Sequence, residues 1–544
     1  MSSLKISGNI VDVCQQTIFP GTISVEEGYI TAISRESDKD YQEYILPGFV
    51  DAHVHLESSM LVPTEFARLA TLHGTVAAVS DPHEIANVLG ILGVCFMVDN
   101  AAQTPFKIAF GAPSCVPATA YETAGAKLDS QDIRLLFEQK YVSYLSEMMN
   151  VPGVLAKEPE VMQKLQIARE LGFPVDGHAP GLRGEEAYRY GSVGISTDHE
   201  CLTLAEAQDK LQAGIKILIR EGSAAKNFAA LHPLIESHFD RCMFCSDDKH
   251  PDDLVTGHIN DLVRRSLFLG YDLMKVLQIA CVNPVQHYNL AVGLLRPQDP
   301  ADFIVVNNLQ DLAVHRTYCH GVLVAESGQS LLPSVEIEPL NQFATSLKQI
   351  ADFNLPASGS TVRVIEALDG QLTTSERHFP ALIKHGAITC DLDRDILKIA
   401  VVNRYQDTKP AVALVKNFGL KRGAIASSVA HDSHNIIVVG TTDAEICAAV
   451  NQIILNRGGI AVAEGGSVEI LPLPIAGLMS ANDGYQVAQK YADLDARAKQ
   501  LGSTLTAPFM TLSFMALLVI PELKLSDRGL FSSQEFGLVS VCVD

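Results

Sequence analysis

From about Leu4 to Tyr44 the chain alternates apolar and polar positions in short segments, Thr22-Ile23-Ser24-Val25 and Ile30-Thr31-Ala32-Ile33 among them, with Gly28 at a turn. A period of two predicts strands, so a small β element opens the chain. From Leu46 the texture changes to short apolar runs, each closed by polar or charged residues and followed by a helix-like segment. That alternation predicts parallel strands joined by helices.

The runs end at His53/His55, Val79–Glu84, Phe110–Ser114, Leu145–Asn150, Val175–His178, Ser196–Glu200, Ile219–Ser223 and Cys245–Asp248. Eight parallel strands can close into an α/β fold of the (β/α)8 TIM type, and the polar residues fall at the carboxyl ends, where such a barrel places its active site. An open doubly wound sheet would scatter them along an edge. Asn283-Pro284 and Gly293–Pro297 then break a helical segment, and Ala301–Val306 reads as a strand again. The first strands are too few for a stable sheet, so residues near 301–330 are expected to complete it. We therefore expect a composite β domain from residues 1–45 with 296–335, a barrel over 46–295 and a C-terminal α+β domain over 360–544. Ile399–Val402 and Ile436–Val439 are candidate strands of the last unit. There are no repeats and no low-complexity tract.

With 544 residues, 47% of them hydrophobic, the chain can build a large core and more than one domain. Its 41 basic against 63 acidic residues leave a net charge of −22, which disfavours nucleic acid and anionic membranes as partners. Met1 to Val13 lacks the basic start and apolar core of a secretory signal, so a cytoplasmic location is expected. Phe509–Pro521 is too short to span a bilayer and reads as buried core. The eleven cysteines lie mostly in apolar runs and fit a reducing compartment. Cys242 and Cys245 have zinc-ligand spacing, but they sit in a strand-like run without a second pair, which favours core packing.

The candidate chemistry begins at Pro47-Gly48-Phe49-Val50-Asp51-Ala52-His53-Val54-His55. Residues two apart on a strand project to one side, so His53 and His55 can share a metal ion. The other strand ends add Glu147, His178, His199 and Asp247. Four imidazoles and two carboxylates suit one or two first-row divalent cations rather than Mg or Ca. Taken singly, each position has a plainer reading, since a buried histidine can bond a carbonyl and a carboxylate can cap a helix. It is their recurrence at several strand ends that points to hydrolysis by a water activated on a metal.

The strand-one motif resembles that of the amidohydrolase superfamily. More narrowly, Glu57-Ser58-Ser59-Met60, Asp81-Pro82-His83-Glu84-Ile85, Ser114-Cys115-Val116-Pro117-Ala118, Glu147-Met148-Met149, Asp176-Gly177-His178-Ala179-Pro180-Gly181, Arg220–Ala225 and Gly257-His258-Ile259 are similar to blocks of the bacterial adenine deaminase family. The resemblance continues through His431-Asp432-Ser433-His434-Asn435, Leu471–Ser480 and Ile520–Lys524, and so covers almost the whole chain. Ser146 departs from the small Gly or Ala expected before Glu147.

The resemblance implies hydrolytic deamination of adenine to hypoxanthine and ammonia in purine salvage, by a metal-bound hydroxide attacking C6. It implies two divalent transition metals per chain, Mn2+ first, with Fe2+ or Zn2+ as alternatives. His53, His55 and Asp247 would hold one, His178 and His199 the other, and Glu147 would bridge them. Asp247 is the expected proton shuttle, with Glu147 and Glu84 as further catalytic candidates. Glu57, Glu84 and Glu200 can equally orient ligands from behind. Asp81, His83 and Ser114 are candidates for substrate contact, with loop packing as the other reading of the Asp81–Glu84 turn. His431-Asp432-Ser433-His434 closes over the pocket, binds its own ion or forms a polar turn. A homodimer is expected on base rates.

Fold and metals do not fix the substrate, so a deaminase or cyclic amidase acting on another heterocycle stands as the alternative. A cytidine-deaminase-type site from His55-Leu56-Glu57 and Cys242/Cys245 lacks the proline before Cys242 and is set aside. A non-catalytic metal-binding scaffold would be expected to have lost Asp247 or Glu147, and both are present.

Overall fold

The computed structural model describes residues 3–37 and 39–543; residues 1, 2, 38 and 544, which fall in the expected first and last units, lie outside the described residues. The chain opens with β1 (Ser3–Asp12), β2 (Thr17–Glu26), β3 (Tyr29–Arg35) and β4 (Tyr44–Pro47). Ile6 and Ile10 on β1 and Ile23 and Val25 on β2 alternate into one apolar layer, as a period of two requires.

The barrel strands follow. They are β5 (Phe49–Val54), β6 (Thr75–Ser80), β7 (Lys107–Ala112), β8 (Tyr144–Met148), β9 (Val175–Gly177), β10 (Thr197–Asp198), β11 (Lys216–Arg220) and β12 (Cys242–Cys245). Each pairs in parallel with the next from β5 to β9 and from β10 to β12. Where β9 and β10 meet only loosely, the Ser196 amide donates to the Val175 carbonyl at 2.9 Å. The ring closes at its functional end, because the Asp247 amide donates to the His53 carbonyl at 2.9 Å and the His55 amide to the Asp247 carbonyl at 3.2 Å. One residue thus joins the last strand to the first and belongs to a group, with His53 and His55, that could hold a metal ion.

After the barrel come β13 (Phe303–Val306), β14 (Val314–Cys319), β15 (Val322–Glu326) and β16 (Gln329–Ser330). They complete an eight-stranded sheet ordered β16-β15-β14-β13-β4-β1-β2-β3, the two flanks of the barrel meeting where β13 runs antiparallel to β4.

The C-terminal region holds a second eight-stranded sheet, mostly antiparallel, with Ile396–Val402 and Ile436–Gly440 as neighbours in its middle. Its faces divide by alternation. Leu397, Ile399 and Val401 join the main core, while Ala400 and Val402 pack with Ile446, Val450 and Ile453 of the helix Asp443–Asn456. Glu65 on the barrel accepts from the Gly484 amide at 3.0 Å, and the Ser480 amide donates to the Met60 carbonyl at 2.8 Å, tying this region to the first barrel loop.

Cys242 and Cys245 are buried within β12, and burial pushes both thiols up, the opposite of what a thiolate ligand requires. Phe509 lies in the buried helix Pro508–Phe514. Among the described residues no helix is long and apolar enough to cross a membrane.

Candidate metal centre and pocket

Glu147, at the end of β8, is the centre of the cluster. Its Oε2 lies 3.1 Å from both His178 Nδ1 and His199 Nε2 and 3.8 Å from His53 Nε2, and its Oε1 lies 3.7 Å from His55 Nε2. Asp247 directs Oδ1 to His53 Nε2 at 3.4 Å and to His55 Nε2 at 3.2 Å. All six side chains are buried. Asp247 holds a left-handed backbone (φ 55°), a conformation that non-glycine residues adopt sparingly and that recurs at functional positions.

Burial opposes ionisation of Glu147, yet the His178 and His199 imidazoles hold its carboxyl well below the usual range. Burial likewise opposes charge on Asp247, where the Arg220 guanidinium is the strongest influence keeping the carboxylate ionised. Arg220, itself fully buried, donates to Asp247 Oδ2 at 2.6 Å and also pairs with Glu200. This leaves Asp247 Oδ1 facing the imidazoles.

The donors fit a divalent cation. His55 Nδ1 lies 3.1 Å from the Asp81 carbonyl, an acceptor only, so that nitrogen carries the proton and Nε2 keeps its lone pair toward the cluster. Both ring nitrogens of His53 and Nε2 of His178 are buried without a hydrogen-bond partner among the described residues. Of these, His53 Nε2 faces Glu147 and Asp247, and leaving it unmet costs about 1–3 kcal/mol, which a cation bound there would offset.

His83 and Glu84 open the helix His83–Leu89 at the cavity wall. The His83 Nδ1 lies 3.1 Å from Asp81 and 3.6 Å from Glu147, while its Nε2 lies 3.7 Å from Asp432. Asp81 and Ser114 stand behind this wall. Asp81 orients His83, and the Ser114 hydroxyl donates to the Glu147 carbonyl at 2.5 Å. Glu84 is engaged by His431 Nδ1 and His434 Nε2, and the Ala430 amide donates to His434 Nδ1 at 3.2 Å. His434 therefore carries its proton on Nε2, the nitrogen facing Glu84, where a metal ligand would need a lone pair.

The opposite wall comes wholly from the C-terminal region, as Leu372, His431, Asp432, Phe514 and Leu517. His431 stacks on Phe514 with ring centroids 4.6 Å apart. Buried Lys524 donates to the Leu372 carbonyl at 2.6 Å and the Phe514 carbonyl at 2.9 Å, pinning two of these residues, and burial lowers its pKa to about 7. Of the readings open for His431-Asp432-Ser433-His434, closure over the pocket agrees with the lining, to which His431 and Asp432 belong; nothing local assigned Arg220 or Lys524 to the pocket, and Leu372, Phe514 and Leu517 carried no signal. A larger groove of about 810 Å³, among Phe228, His232, Arg264 and Phe268, shares no residue with the barrel mouth.

A barrel of this kind, with buried imidazoles and carboxylates converging at the carboxyl ends of its strands, is the arrangement of an amidohydrolase. The amidohydrolase family model matches residues 44–324, and the model of the adenine deaminase C-terminal domain matches residues 371–537. The chain is 55% identical to an adenine deaminase of Sulfurovum sp. (strain NBC37-1) over 99% of its own length and 100% of that protein's. It is 52% identical to an adenine deaminase of Salinibacter ruber, with 100% of each chain covered. Among solved structures, the β-aspartyl dipeptidase of Fervidobacterium islandicum-AW-1 aligns with 62% of this chain and 100% of its own, at a TM-score of 0.47 and 14% identity. The chain belongs to the adenine deaminase family.

Proposed function

We propose that this protein hydrolyses adenine to hypoxanthine and ammonia. The observation that carries the reading is the single cavity in which the barrel cluster and the C-terminal wall meet, each lying in a region matched by one of the two family models. His53, His55 and Asp247 would hold one divalent cation and His178 and His199 a second, with Glu147 shared between them; Mn2+ is the first candidate, Fe2+ and Zn2+ the alternatives. Such cations, when bound, lower the pKa of water toward about 7 and make hydroxide available at neutral pH.

The chain's own groups manage the protons. Asp247 Oδ1 accepts the proton released by water and returns it to the departing amine, while Arg220 holds Oδ2 and fixes the orientation of the carboxylate. His83 sits between Asp81 and Glu147, and although burial opposes its charge, Asp81 and Glu84 raise its pKa well above the ordinary value. It is therefore a donor for the ring nitrogen N1 as negative charge develops there. Glu84 acts through the imidazoles it engages rather than on the ring.

We further propose that residues 1–45 with 296–335, residues 46–295 and residues 360–544 are three units of one cytoplasmic protein, acting as a homodimer in purine salvage. The eleven free cysteines agree with a reducing compartment.

The test is ammonia release from adenine by Mn2+-loaded protein, with metal determined on the same sample. Turnover with about two metals per chain is expected. A metal-loaded protein inert on adenine but active on guanine, cytosine or a hydantoin would overturn the substrate assignment.

A further inference from the structure

The cavity has two ends, and the metal cluster accounts for one. At the other, Leu372, Phe514 and Leu517 offer apolar surface, while the polar groups are His431 and Asp432. His431 Nδ1 is committed to Glu84. Asp432 differs: it is 3% exposed, its Oδ1 is 3.7 Å from His83 Nε2, and its Oδ2 is buried with no hydrogen-bond partner among the described residues. An unmet carboxylate oxygen in a pocket wall is a standing demand for a donor.

The loop carrying it is held firmly, so the vacant acceptor is not a product of slack chain. It connects the antiparallel strands Ala424–Ser427 and Ile436–Gly440. Tyr405 donates to the Ser433 carbonyl at 2.6 Å, Asn435 donates to the Thr123 carbonyl at 2.9 Å, and the buried Arg404 donates to the His434 carbonyl at 3.3 Å. Glu122 lies nearby and its carboxyl is pushed up to about 8, by burial first and by Asp432 second.

The His83 ring spans the interval between Glu147 and Asp432. With C6 and N1 directed to the metal cluster, the five-membered ring of adenine would point to the C-terminal wall. In the free base that ring bears an N–H; in a nucleoside the same nitrogen bears the sugar.

We infer that Asp432 is a specificity-determining residue whose Oδ2 accepts the five-membered-ring N–H of a free purine base, so that the pocket selects the base over its N9-substituted forms. The inference rests on the adenine reading given above. No bond is made or broken at Asp432; its contribution is to binding, and it falls mainly on KM.

The experiment measures kcat and KM for adenine and 9-methyladenine with Mn2+-loaded wild type, Asp432→Ala and Asp432→Asn, with metal content and circular dichroism recorded for each. Wild type is expected to prefer adenine by about 100-fold or more in kcat/KM. Asp432→Ala is expected to raise the adenine KM about 10–100-fold with kcat within about threefold, and to bring the preference down to about tenfold or less. Asp432→Asn keeps an acceptor of the same shape and should fall between, which preserves the test if the alanine variant misfolds. An unchanged adenine preference in the folded variants, or equal use of both substrates by wild type, overturns the assignment alone. Absence of ammonia from adenine with metal-loaded wild type overturns the deaminase reading and this inference together.

Discussion

Glu147 and Glu84 are the same side chain in similar company, each a buried carboxylate set between imidazoles, yet the two surroundings differ in what they leave open. Around Glu147 the closest imidazole nitrogens stand 3.1 Å away, and His53 keeps its cluster-facing Nε2 without a partner among the described residues. Around Glu84 both carboxylate oxygens are already met by His431 and His434, and the Ala430 amide assigns the His434 proton to the nitrogen facing Glu84. The first arrangement is short of a cation; the second is complete without one. Counting histidines and carboxylates does not separate them, whereas accounting for each lone pair and proton does.

The largest effect is expected at Glu147. Glu147→Gln removes the charge shared by both halves of the cluster and should lower bound metal and reduce turnover by more than about 1,000-fold. Full metal occupancy in that variant would mean that the two carboxylate clusters do not differ in their need for a cation. Chelation of the wild type should abolish ammonia release, and Mn2+ should restore it.

Asp247→Asn comes next, with metal content near wild type and kcat lowered by about 100-fold or more, the range of a lost proton carrier. Near-normal turnover would exclude the shuttle. Glu84→Gln should leave metal content unchanged while destabilising the fold by about 3 kcal/mol, because two buried imidazoles lose their anion. Loss of a metal from this variant, by elemental analysis, would mean that the second cluster binds an ion after all.

The smallest expected effect is a pH dependence. Burial opposes charge on His431, but Glu84 raises its pKa to about 9, above the ordinary value of 6.5. A group whose folded pKa is raised contributes stability that is full below 6.5 and is lost as pH rises through about 9. Melting temperature should therefore decline from pH 7 to 10, and His431→Gln should flatten that decline. Equal slopes in both proteins would remove His431 from the account.

Much of this site could be read before any coordinates, for a physical reason. Parallel strands buried on both faces are mostly apolar, so polar residues gather toward their carboxyl ends, and in a barrel those ends converge. His53, Glu147, His178, His199 and Asp247 were visible on that ground. The C-terminal wall was not, because Phe514 and Leu517 look like any core residues and Leu372 lies far from the barrel in sequence. Asp432 stood in a recognisable polar block, but only the packing of one sheet against the barrel brings it opposite His83. Arg220 was hidden for a related reason, since a strand-end arginine announces nothing until its two carboxylates are in place.

The Lys524 clamp on Phe514 and Leu372 also has a consequence in time. Every side chain of the barrel cluster has been synthesised once Asp247 is added, whereas the lysine that secures the opposite wall follows 277 residues later. At about 5–20 residues per second the interval between the two is on the order of tens of seconds. During that period the wall formed by Leu372, Phe514 and Leu517 has yet to be pinned over the barrel mouth.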